Sequence, residues 1–225
     1  MKTIIYKVLA GSRLYGTYDK NSDYDYRGIF MPPITDYYKF GYKEFKVIDD
    51  GEQDIAYYSL RKFIGLASKC NPNILELLFI PVENVIVAKP PISRVLKMTP
   101  MFLNKKNIYN AYKGFGLTEF DKFKRNNKQL KKAVNCVRLL EDAIQLFETG
   151  KLVFPSKMTP TLCDIKNGKV TFNEIVNFVE NVLNKDFTEA YENSTLPDKT
   201  DTKAIENEMV DIIKTHKEII HGYNG

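Results

Sequence analysis

Two aspartates near the start of the chain have the spacing of a metal-binding pair. Asp23 and Asp25 are separated by one tyrosine in the segment Ser-Asp-Tyr-Asp-Tyr. Side chains alternate along a strand, so both carboxylates would project from one face, roughly 6.6 Å apart along the backbone. Carboxylate oxygens at that spacing can hold a hard divalent cation between them. The pair therefore predicts metal-ion chemistry.

A Gly-Ser dipeptide, Gly11-Ser12, precedes this pair and directly follows the apolar run 4–10. The run reads as a strand that enters a tight turn, where backbone N–H groups can face an anion. A phosphate-binding turn beside a metal-binding pair predicts a site for a nucleoside triphosphate with magnesium. A P-loop is excluded because Thr17 stands where the phosphate-binding lysine is required. The alternative for the pair is an ordinary polar turn at 21–23 before an edge strand.

This constellation resembles the DNA polymerase β nucleotidyltransferase superfamily, in which Gly-Ser, a gap, Asp-x-Asp and a third carboxylate on a later strand form the site. Further segments are similar to its RNA-repair-associated branch, namely 15–17, 22–33, 71–79, 102–115, 131–140 and 194–201. The resemblance implies an α+β fold, with a polymerase-β-like core of a small mixed sheet and helices, followed by a C-terminal helical bundle. It also implies an NTP substrate and two Mg²⁺ ions, for which Mn²⁺ could substitute.

Asp54 is the candidate for the third carboxylate. It is an acid near the start of a predicted strand that follows the aspartate pair, where the resemblance places such a ligand. In that role it would complete one metal site and help to activate the attacking hydroxyl. Glu52 would share its face of the strand and is the competing choice. Asp49 and Asp50 are more simply read as turn residues.

The elements that must position these residues change in kind along the chain. Strands are predicted at 2–10, 24–30, 42–48 and 53–57, with a hairpin turn at 49–51 and a short helix at 13–18. From about residue 92 the apolar spacing is mainly helical, and the clearest helix is 128–149, ended by Gly150. We therefore expect a nucleotidyltransferase core at 1–90 and a helical region at 91–225 packed on it.

Four polar residues follow one side of that clearest helix. Lys131, Asn135, Arg138 and Asp142 lie within roughly 60° of one another at the helical repeat. The resemblance implies that Lys131 and Arg138 clamp the triphosphate or the acceptor. Asn135 replaces a histidine of the family, and an amide can form hydrogen bonds but cannot act as a base. The alternative is a solvated stripe.

Positive charge is concentrated between residues 105 and 138. This segment has ten Lys and Arg residues against two acids, whereas the whole chain carries a net charge of only +5. Its aromatic side chains are Tyr109, Tyr112, Phe115, Phe120 and Phe123. Such a segment could hold a phosphate backbone and stack bases, which predicts RNA as a partner. The alternative is a solvated helix face with its aromatic rings directed into the core.

Composition argues against membrane, secreted, disulfide-rich and zinc-binding classes of protein. No apolar run approaches the roughly 20 residues of a membrane span, and no secretory signal is recognisable, so we expect a cytoplasmic protein. The three cysteines are widely spaced and indicate neither a disulfide framework nor a zinc site. The only histidines are His216 and His221. Metal chemistry must therefore depend on carboxylates.

Together these features predict a magnesium-dependent nucleotidyltransferase that moves a nucleoside monophosphate from an NTP to an acceptor hydroxyl, with RNA as the favoured acceptor. The same chemistry on a protein side chain, as in AMPylation, or on a small molecule is one alternative. A second alternative is a non-catalytic module that binds a nucleotide or RNA and has kept the fold.

Overall fold

A computed structural model describes residues 3–49 and 53–222 of the chain. Its centre is a five-stranded mixed sheet in the order β3-β4-β2-β1-β5. Only β2 and β4 are parallel, and the other three neighbouring pairs are antiparallel. The strands are β1 (Thr3–Leu9), β2 (Tyr24–Met31), β3 (Phe45–Asp49), β4 (Gln53–Ser59) and β5 (Val85–Ala88). The predicted mixed sheet is therefore confirmed.

The helices fill most of the remaining chain. They are α1 (Gly11–Leu14), α2 (Leu60–Ala67), α3 (Pro72–Leu75), α4 (Ile92–Lys97), α5 (Thr99–Phe102), α6 (Lys105–Arg125), α7 (Leu130–Thr149), α8 (Thr159–Lys166), α9 (Phe172–Asn181), α10 (Phe187–Asn193) and α11 (Thr202–Gly222). Short 3-10 turns lie at Ile34–Tyr38, Glu76–Leu78 and Val82–Asn84, and a π-helical turn lies at Val182–Asp186. The last described strand ends at Ala88, close to the predicted change at residue 92.

Local sequence signals explain several boundaries. Ser59 caps α2, because its side-chain oxygen accepts the backbone N–H of Lys62 at 3.1 Å. Gly150 ends α7 in the left-handed region at φ 65°, as predicted. The helix expected at 13–18 is displaced: α1 begins at Gly11 and ends at Leu14, since Gly16 has a φ of 72° and turns the chain. The hairpin between β3 and β4 is confirmed, although its turn residues 50–52 lie outside the described residues.

The two faces of the sheet pack differently. On one face Ile29 and Met31 join the main hydrophobic core, which runs from Ile5 to Ile212 and includes the helices on both sides of residue 90. On the other face a small cluster of Phe30, Ile55 and Tyr57 is covered by Tyr42 and other partly buried side chains. Strand and helix residues thus share one core. The separate C-terminal bundle and the 1–90 and 91–225 division stay predictions.

Two further expectations concern the class of protein. No helix in the described part of the chain is both long enough and apolar enough to pass through a membrane. Cys70, Cys136 and Cys163 are all free thiols, and the first two are buried.

Candidate active site

A row of aspartates crosses three neighbouring strands. The parallel register of β2 and β4 places Asp25 opposite Asp54, and the antiparallel register of β3 and β4 places Asp49 opposite Asp54. Residues opposite one another in a ladder project from the same face of the sheet. Adjacent strands lie about 4.8 Å apart, so Asp25 and Asp54 can serve one ligand. Asp49, read as a turn residue from the sequence, is instead the last residue of β3.

Asp23 is not part of this row. β2 begins at Tyr24, so Asp23 lies in the preceding turn, where it is exposed, and strand alternation does not apply to it. Within the described ranges, no three His, Cys, Asp or Glu side chains gather closely enough to hold a metal ion. The expected convergence of three carboxylates is therefore not found. Asp25 and Asp54 lie opposite each other on neighbouring strands. Asp23 lies just before β2, at the rim of the site.

The surroundings of Asp25 lack a paired cation. Burial raises the pKa of Asp25, the charges of Arg27 and Lys131 lower it, and the charges of Asp54 and Asp23 raise it. In the part of the chain that the structure describes, no Lys or Arg forms a salt bridge with Asp25 or Asp54. Half-buried carboxylates that repel one another are stabilised by an added cation. An oxygen-only donor set of this kind fits Mg²⁺ or Mn²⁺.

The Gly-Ser turn is in direct contact with this acid. Gly11 has a φ of 63°, and a Cβ added to it would collide with the carboxylate of Asp25. The backbone N–H of Ala10 donates to the carbonyl oxygen of Asp25 at 2.8 Å, which fixes the end of β1 against β2. Glycine is thus required twice at this position, by its backbone angle and by lack of space. The structure therefore brings Gly11 into contact with Asp25, with Ser12 as the next residue of α1.

Helix α7 approaches the same acid with its first turn. Lys131 is exposed, and its charge acts on Asp25. One turn later Asn135 donates from Nδ2 to Oε2 of Glu119 on α6 at 3.3 Å. Lys131 therefore lies within electrostatic range of the aspartates, whereas Asn135 is engaged by the neighbouring helix.

Arg138 does not belong to a solvated stripe. It is only 6% exposed, its Nη1 donates to Oδ2 of Asp142 at 2.7 Å, and the same nitrogen lies 3.6 Å from Oε2 of Glu76. Asp142 and Glu76 are themselves 2% and 1% exposed. The alternative reading as a solvated face is therefore wrong for this part of α7. The predicted contact of Arg138 with a triphosphate stays a prediction.

Tyr15 connects this buried cluster to the Gly-Ser turn. Its hydroxyl donates to Oε2 of Glu76 at 2.7 Å, and the guanidinium of Arg138 lies 4.2 Å from its ring centroid. Tyr15 directly follows α1, so Tyr15, Glu76, Arg138 and Asp142 tie α1, the 3-10 turn after α3, and α7 together. We refer to these four residues as the buried ion cluster.

The buried ion cluster holds two carboxyl groups around one guanidinium. Burial raises the pKa of Asp142 to about 7 although Arg138 is beside it, and the charge of Glu76 adds to the rise. Burial also raises the pKa of Glu76, while Arg138, the Tyr15 hydroxyl and Arg27 act against that rise. Arg27 acts on Asp25 as well, so it lies between the cluster and the aspartate row.

Two charged residues near the site, Glu76 and Arg27, were not recognised from the sequence. Glu76 reads as the capping partner of Asn73, but α3 has no side-chain cap and Glu76 is buried. The available signal was an acid inside the apolar run Ile-Leu-Glu-Leu-Leu, because a buried carboxylate requires a partner. The second residue is Arg27, which follows Asp25 by two positions and so shares its face of β2.

Comparison with known proteins identifies the family. A family model described as the RNA repair pathway DNA polymerase beta family matches residues 2–211. The chain belongs to this family. The resemblance stated for the sequence is thereby confirmed, and membership of this polymerase beta family suggests nucleotidyltransferase activity.

Two curated relatives are similar over shorter segments. An uncharacterized 38.9 kDa protein in the nrdC-mobD intergenic region of Enterobacteria phage T4 is 34% identical over 100 residues, which cover 40% of this chain and 30% of that protein. The uncharacterized protein YcgL of Bacillus subtilis (strain 168) is 38% identical over 78 residues, which cover 33% of this chain and 30% of that protein. The matched part of the chain thus spans less than a third of the length of either relative.

The aromatic residues of segment 105–138, predicted to stack RNA bases in this polymerase beta family member, mostly face the core. Three of the five are fully buried, namely Tyr112, Phe120 and Phe123. Tyr109 is half-buried and packs against the rings of Phe187 and Tyr191. Phe115 alone among the five is exposed. Base stacking is therefore excluded for Tyr112, Phe120 and Phe123, and RNA binding by this segment stays a prediction.

The charges of the same segment are partly neutralised by its own acids. Glu119 accepts from Lys122 at 2.6 Å and lies 3.1 Å from Nζ of Lys132. Asp121 lies 3.2 Å from Nζ of Lys124. These pairs leave positive charge on the surface, but less than the count of lysines and arginines indicates.

A cavity of about 530 Å³ lies elsewhere, against the other side of α7. Its lining includes Glu141, Glu148, Asp186 and Glu189, with Lys157 as its only lysine or arginine, all within the described residues. None of the candidate catalytic, metal-binding or nucleotide-binding residues predicted from the sequence lines this cavity. We therefore place the candidate active site at the aspartate row and not in this cavity.

Proposed function

We propose that the protein is a metal-dependent nucleotidyltransferase that moves a nucleoside monophosphate from an NTP to an acceptor hydroxyl, with RNA as the acceptor. The observation that carries the proposal is the register pair of Asp25 and Asp54, because it abuts the Gly11 turn and has no salt bridge from the described lysines and arginines. Membership of the polymerase beta family supports the same reaction class.

Each residue of the site has a role that its position supports. Asp25 and Asp54, with Asp23 at the rim, would hold two Mg²⁺ ions, for which Mn²⁺ could substitute. When bound, such ions neutralise the charge of the reacting phosphate and of the attacking and leaving oxygens. Backbone N–H groups at Gly11 and Ser12 bind the β- and γ-phosphates. Asp54, beside Asp25, accepts the proton of the acceptor hydroxyl.

The two predicted clamps differ in what they can do. Lys131 is exposed within electrostatic range of Asp25, so it can bind a phosphate and reduce the repulsion between substrate and carboxylates. Arg138 is already engaged by Asp142 and Glu76, and it acts on the site by holding Tyr15 and the turn that precedes it. We therefore assign the direct phosphate contact to Lys131 and a positioning role to Arg138.

A second candidate keeps the chemistry but changes the acceptor to a protein side chain or a small molecule. This candidate is favoured because most aromatic rings of segment 105–138 are buried and cannot stack on the bases of a bound RNA. The non-catalytic alternative, a nucleotide- or RNA-binding module, is disfavoured because a pure binder does not need carboxylates held together without a cation.

The reaction is tested by incubating the protein with each radiolabelled NTP and Mg²⁺ or Mn²⁺, together with total cellular RNA or total protein. We expect label in the RNA fraction, reduced by about a hundredfold or more in Asp25→Asn and Asp54→Asn. Glu206→Gln removes an exposed acid on α11 and serves as the matched control. Undiminished labelling by Asp25→Asn would contradict the proposal, and label in protein alone would establish the second candidate.

The place of RNA on segment 105–138 is tested separately. Changing Lys124, Arg125 and Lys128 together to Glu should lower RNA affinity and flatten its salt dependence, since each phosphate contact of a single strand contributes a slope of about −0.7. NTP binding should survive, because none of these three residues is among those assigned to the metal ions or the triphosphate. If the triple variant labels its acceptor as well as the parent, this segment is only a solvated face.

A further inference from the structure

The opposite face of β2 presents an alternating set of rings and cations beside the active site. The guanidinium carbon of Arg13 lies 3.7 Å from the ring centroid of Tyr24 and 5.1 Å from that of Tyr18. Nζ of Lys7 lies 4.2 Å from the ring centroid of Tyr26. The rings of Tyr24 and Tyr26 are nearly parallel, at 12°, with centroids 6.3 Å apart. We call these five residues the ring–cation surface.

Two rings of this surface remain open to solvent. Tyr18 is 55% exposed and Tyr24 is 44% exposed, although both already contact a cation. Arg13 is held in place because its Nη2 donates to the carbonyl oxygen of Ser22 at 3.0 Å. Its Nε is buried without a hydrogen-bond partner in the described part of the chain. The guanidinium and the ring of Tyr24 are thus positioned by contacts within the protein.

Charge around the ring–cation surface favours a polyanion. Lys7, Arg13 and Lys20 are basic. Of the adjoining acids, Asp19 is neutralised by Lys166, whose Nζ lies 2.7 Å from its Oδ2, and Asp23 is exposed, so the basic groups outnumber the acids. Positive groups interleaved with exposed aromatic rings are the arrangement that binds single-stranded nucleic acid. Segment 105–138 has the charges but keeps four of its five rings wholly or partly buried.

The ring–cation surface begins at the end of the sheet that carries the aspartates. β2 begins at Tyr24, so this ring lies at the end of the strand, and strand alternation turns it to the face opposite Asp25. Arg13 directly follows Gly11 and Ser12, the residues assigned to the triphosphate. A strand whose terminal hydroxyl reaches Asp25 and Asp54 would pass around this end of the sheet and place its next bases on Tyr24 and Tyr18.

We propose that the ring–cation surface binds the unpaired bases of an RNA acceptor immediately next to its reacting end. The inference rests on the proposed nucleotidyltransferase function and names where its acceptor is held. Stacking on tyrosine rings tolerates every base, so the surface selects single strands over duplexes and has little base preference.

The test measures the binding of a fluorescein-labelled single-stranded RNA of about ten nucleotides by anisotropy. We expect Tyr24→Ala to weaken binding about tenfold, because one stacked base is lost, and Tyr24→Phe to bind like the parent, because the ring remains. Tyr38→Ala removes another highly exposed tyrosine, on the 3-10 turn Ile34–Tyr38, and serves as the matched control with unchanged binding. A duplex of the same sequence should bind more weakly than the single strand.

Binding of a fluorescent ATP analogue and thermal unfolding are measured on the same variants. If Tyr24→Ala loses ATP binding and keeps RNA binding, the ring stacks on the NTP base and the inference is overturned. If it lowers only the melting temperature, the ring has a structural role, which also overturns it. Should Tyr24→Ala fail to fold, Tyr18→Ala at the more exposed ring takes its place, and unchanged RNA binding there overturns the inference.

Failure of the inference and failure of the proposed function give different results. RNA binding that depends on Tyr24, without nucleotide transfer to any acceptor, supports the ring–cation surface and contradicts the enzyme. Transfer to RNA that is insensitive to Tyr24→Ala, both in RNA binding and in the Michaelis constant for RNA, supports the enzyme and contradicts the surface.

Discussion

The acids of the aspartate row and the acids of the buried ion cluster are the same functional group in opposite settings. Glu76 and Asp142 are almost fully buried and share the guanidinium of Arg138. Asp25 and Asp54 are only half-buried and have no salt bridge from the described lysines and arginines. One group has its cation built into the chain, and the other is left without one.

This difference separates structure from chemistry. A buried carboxylate costs so much free energy that the fold must supply a partner, and once paired it is no longer available to a ligand. A half-exposed pair can stay unpaired because water screens it, so its charge remains available to an added cation. We therefore expect substitutions in the cluster to change mainly stability and substitutions in the row to change mainly activity.

The largest expected effect on stability is that of Arg138→Met, which leaves Glu76 and Asp142 buried without their cation. We expect the free energy of unfolding in urea to fall by about 3–5 kcal/mol. Lys131→Met, at the exposed first turn of the same helix, should change it by less than about 0.5 kcal/mol. Equal and small effects of the two variants would show that the cluster is not what holds α7 in place.

A smaller effect is expected from pH. Since burial raises the pKa of Asp142 from 3.8 to about 7, its protonated form favours the folded state, and that contribution is lost as the pH rises through about 7. Relative to Asp142→Asn, the parent should lose on the order of 2 kcal/mol between about pH 4 and about pH 7. Urea unfolding of both proteins across this range provides the measurement. Parallel curves would mean that Asp142 does not titrate there.

An effect of the opposite sign is expected from Asp25→Asn, the same variant that is expected to lose most of its transfer activity. Removing one of several repelling carboxylates should leave the free energy of unfolding in metal-free buffer unchanged or raise it by up to about 1 kcal/mol, with the melting temperature unchanged or higher. Differential scanning calorimetry with and without Mg²⁺ checks this, and the parent should gain more from Mg²⁺ than the variant. A clear loss of stability in metal-free buffer would mark Asp25 as structural.

Much of the fold and half of the site followed from local sequence signals. The helix end at Gly150 and the β3–β4 hairpin depend on a few adjacent residues, and the structure has them where they were expected. The approach of Asp54 to Asp25 was inferred from the family pattern, and the parallel register of β2 and β4 places the two opposite each other. Short-range chemistry and a recognised motif were sufficient for these features.

The buried ion cluster could not be predicted in the same way. Tyr15 and Glu76 are 61 positions apart, and Arg138 comes from a third element, so their contact depends on how α1 and α7 pack. Helical periodicity places Arg138 on a polar side of α7 but does not show that another element covers that side. The prediction that Asp23 and Asp25 share one face of a strand was wrong for a simpler reason. β2 begins at Tyr24, so Asp23 lies one residue outside the strand.

The contact between Gly11 and Asp25 suggests that Gly11→Ala would be a useful variant for binding experiments. A single methyl group at position 11 would occupy the space of the Asp25 carboxylate and would also strain a backbone at a φ of 63°. Gly11→Ala would therefore be an inactive enzyme that retains every acidic side chain and its full net charge. Such a protein could be used to capture a bound acceptor without converting it. An Asp→Asn variant is less suitable because it changes the charge of the site to which the acceptor binds.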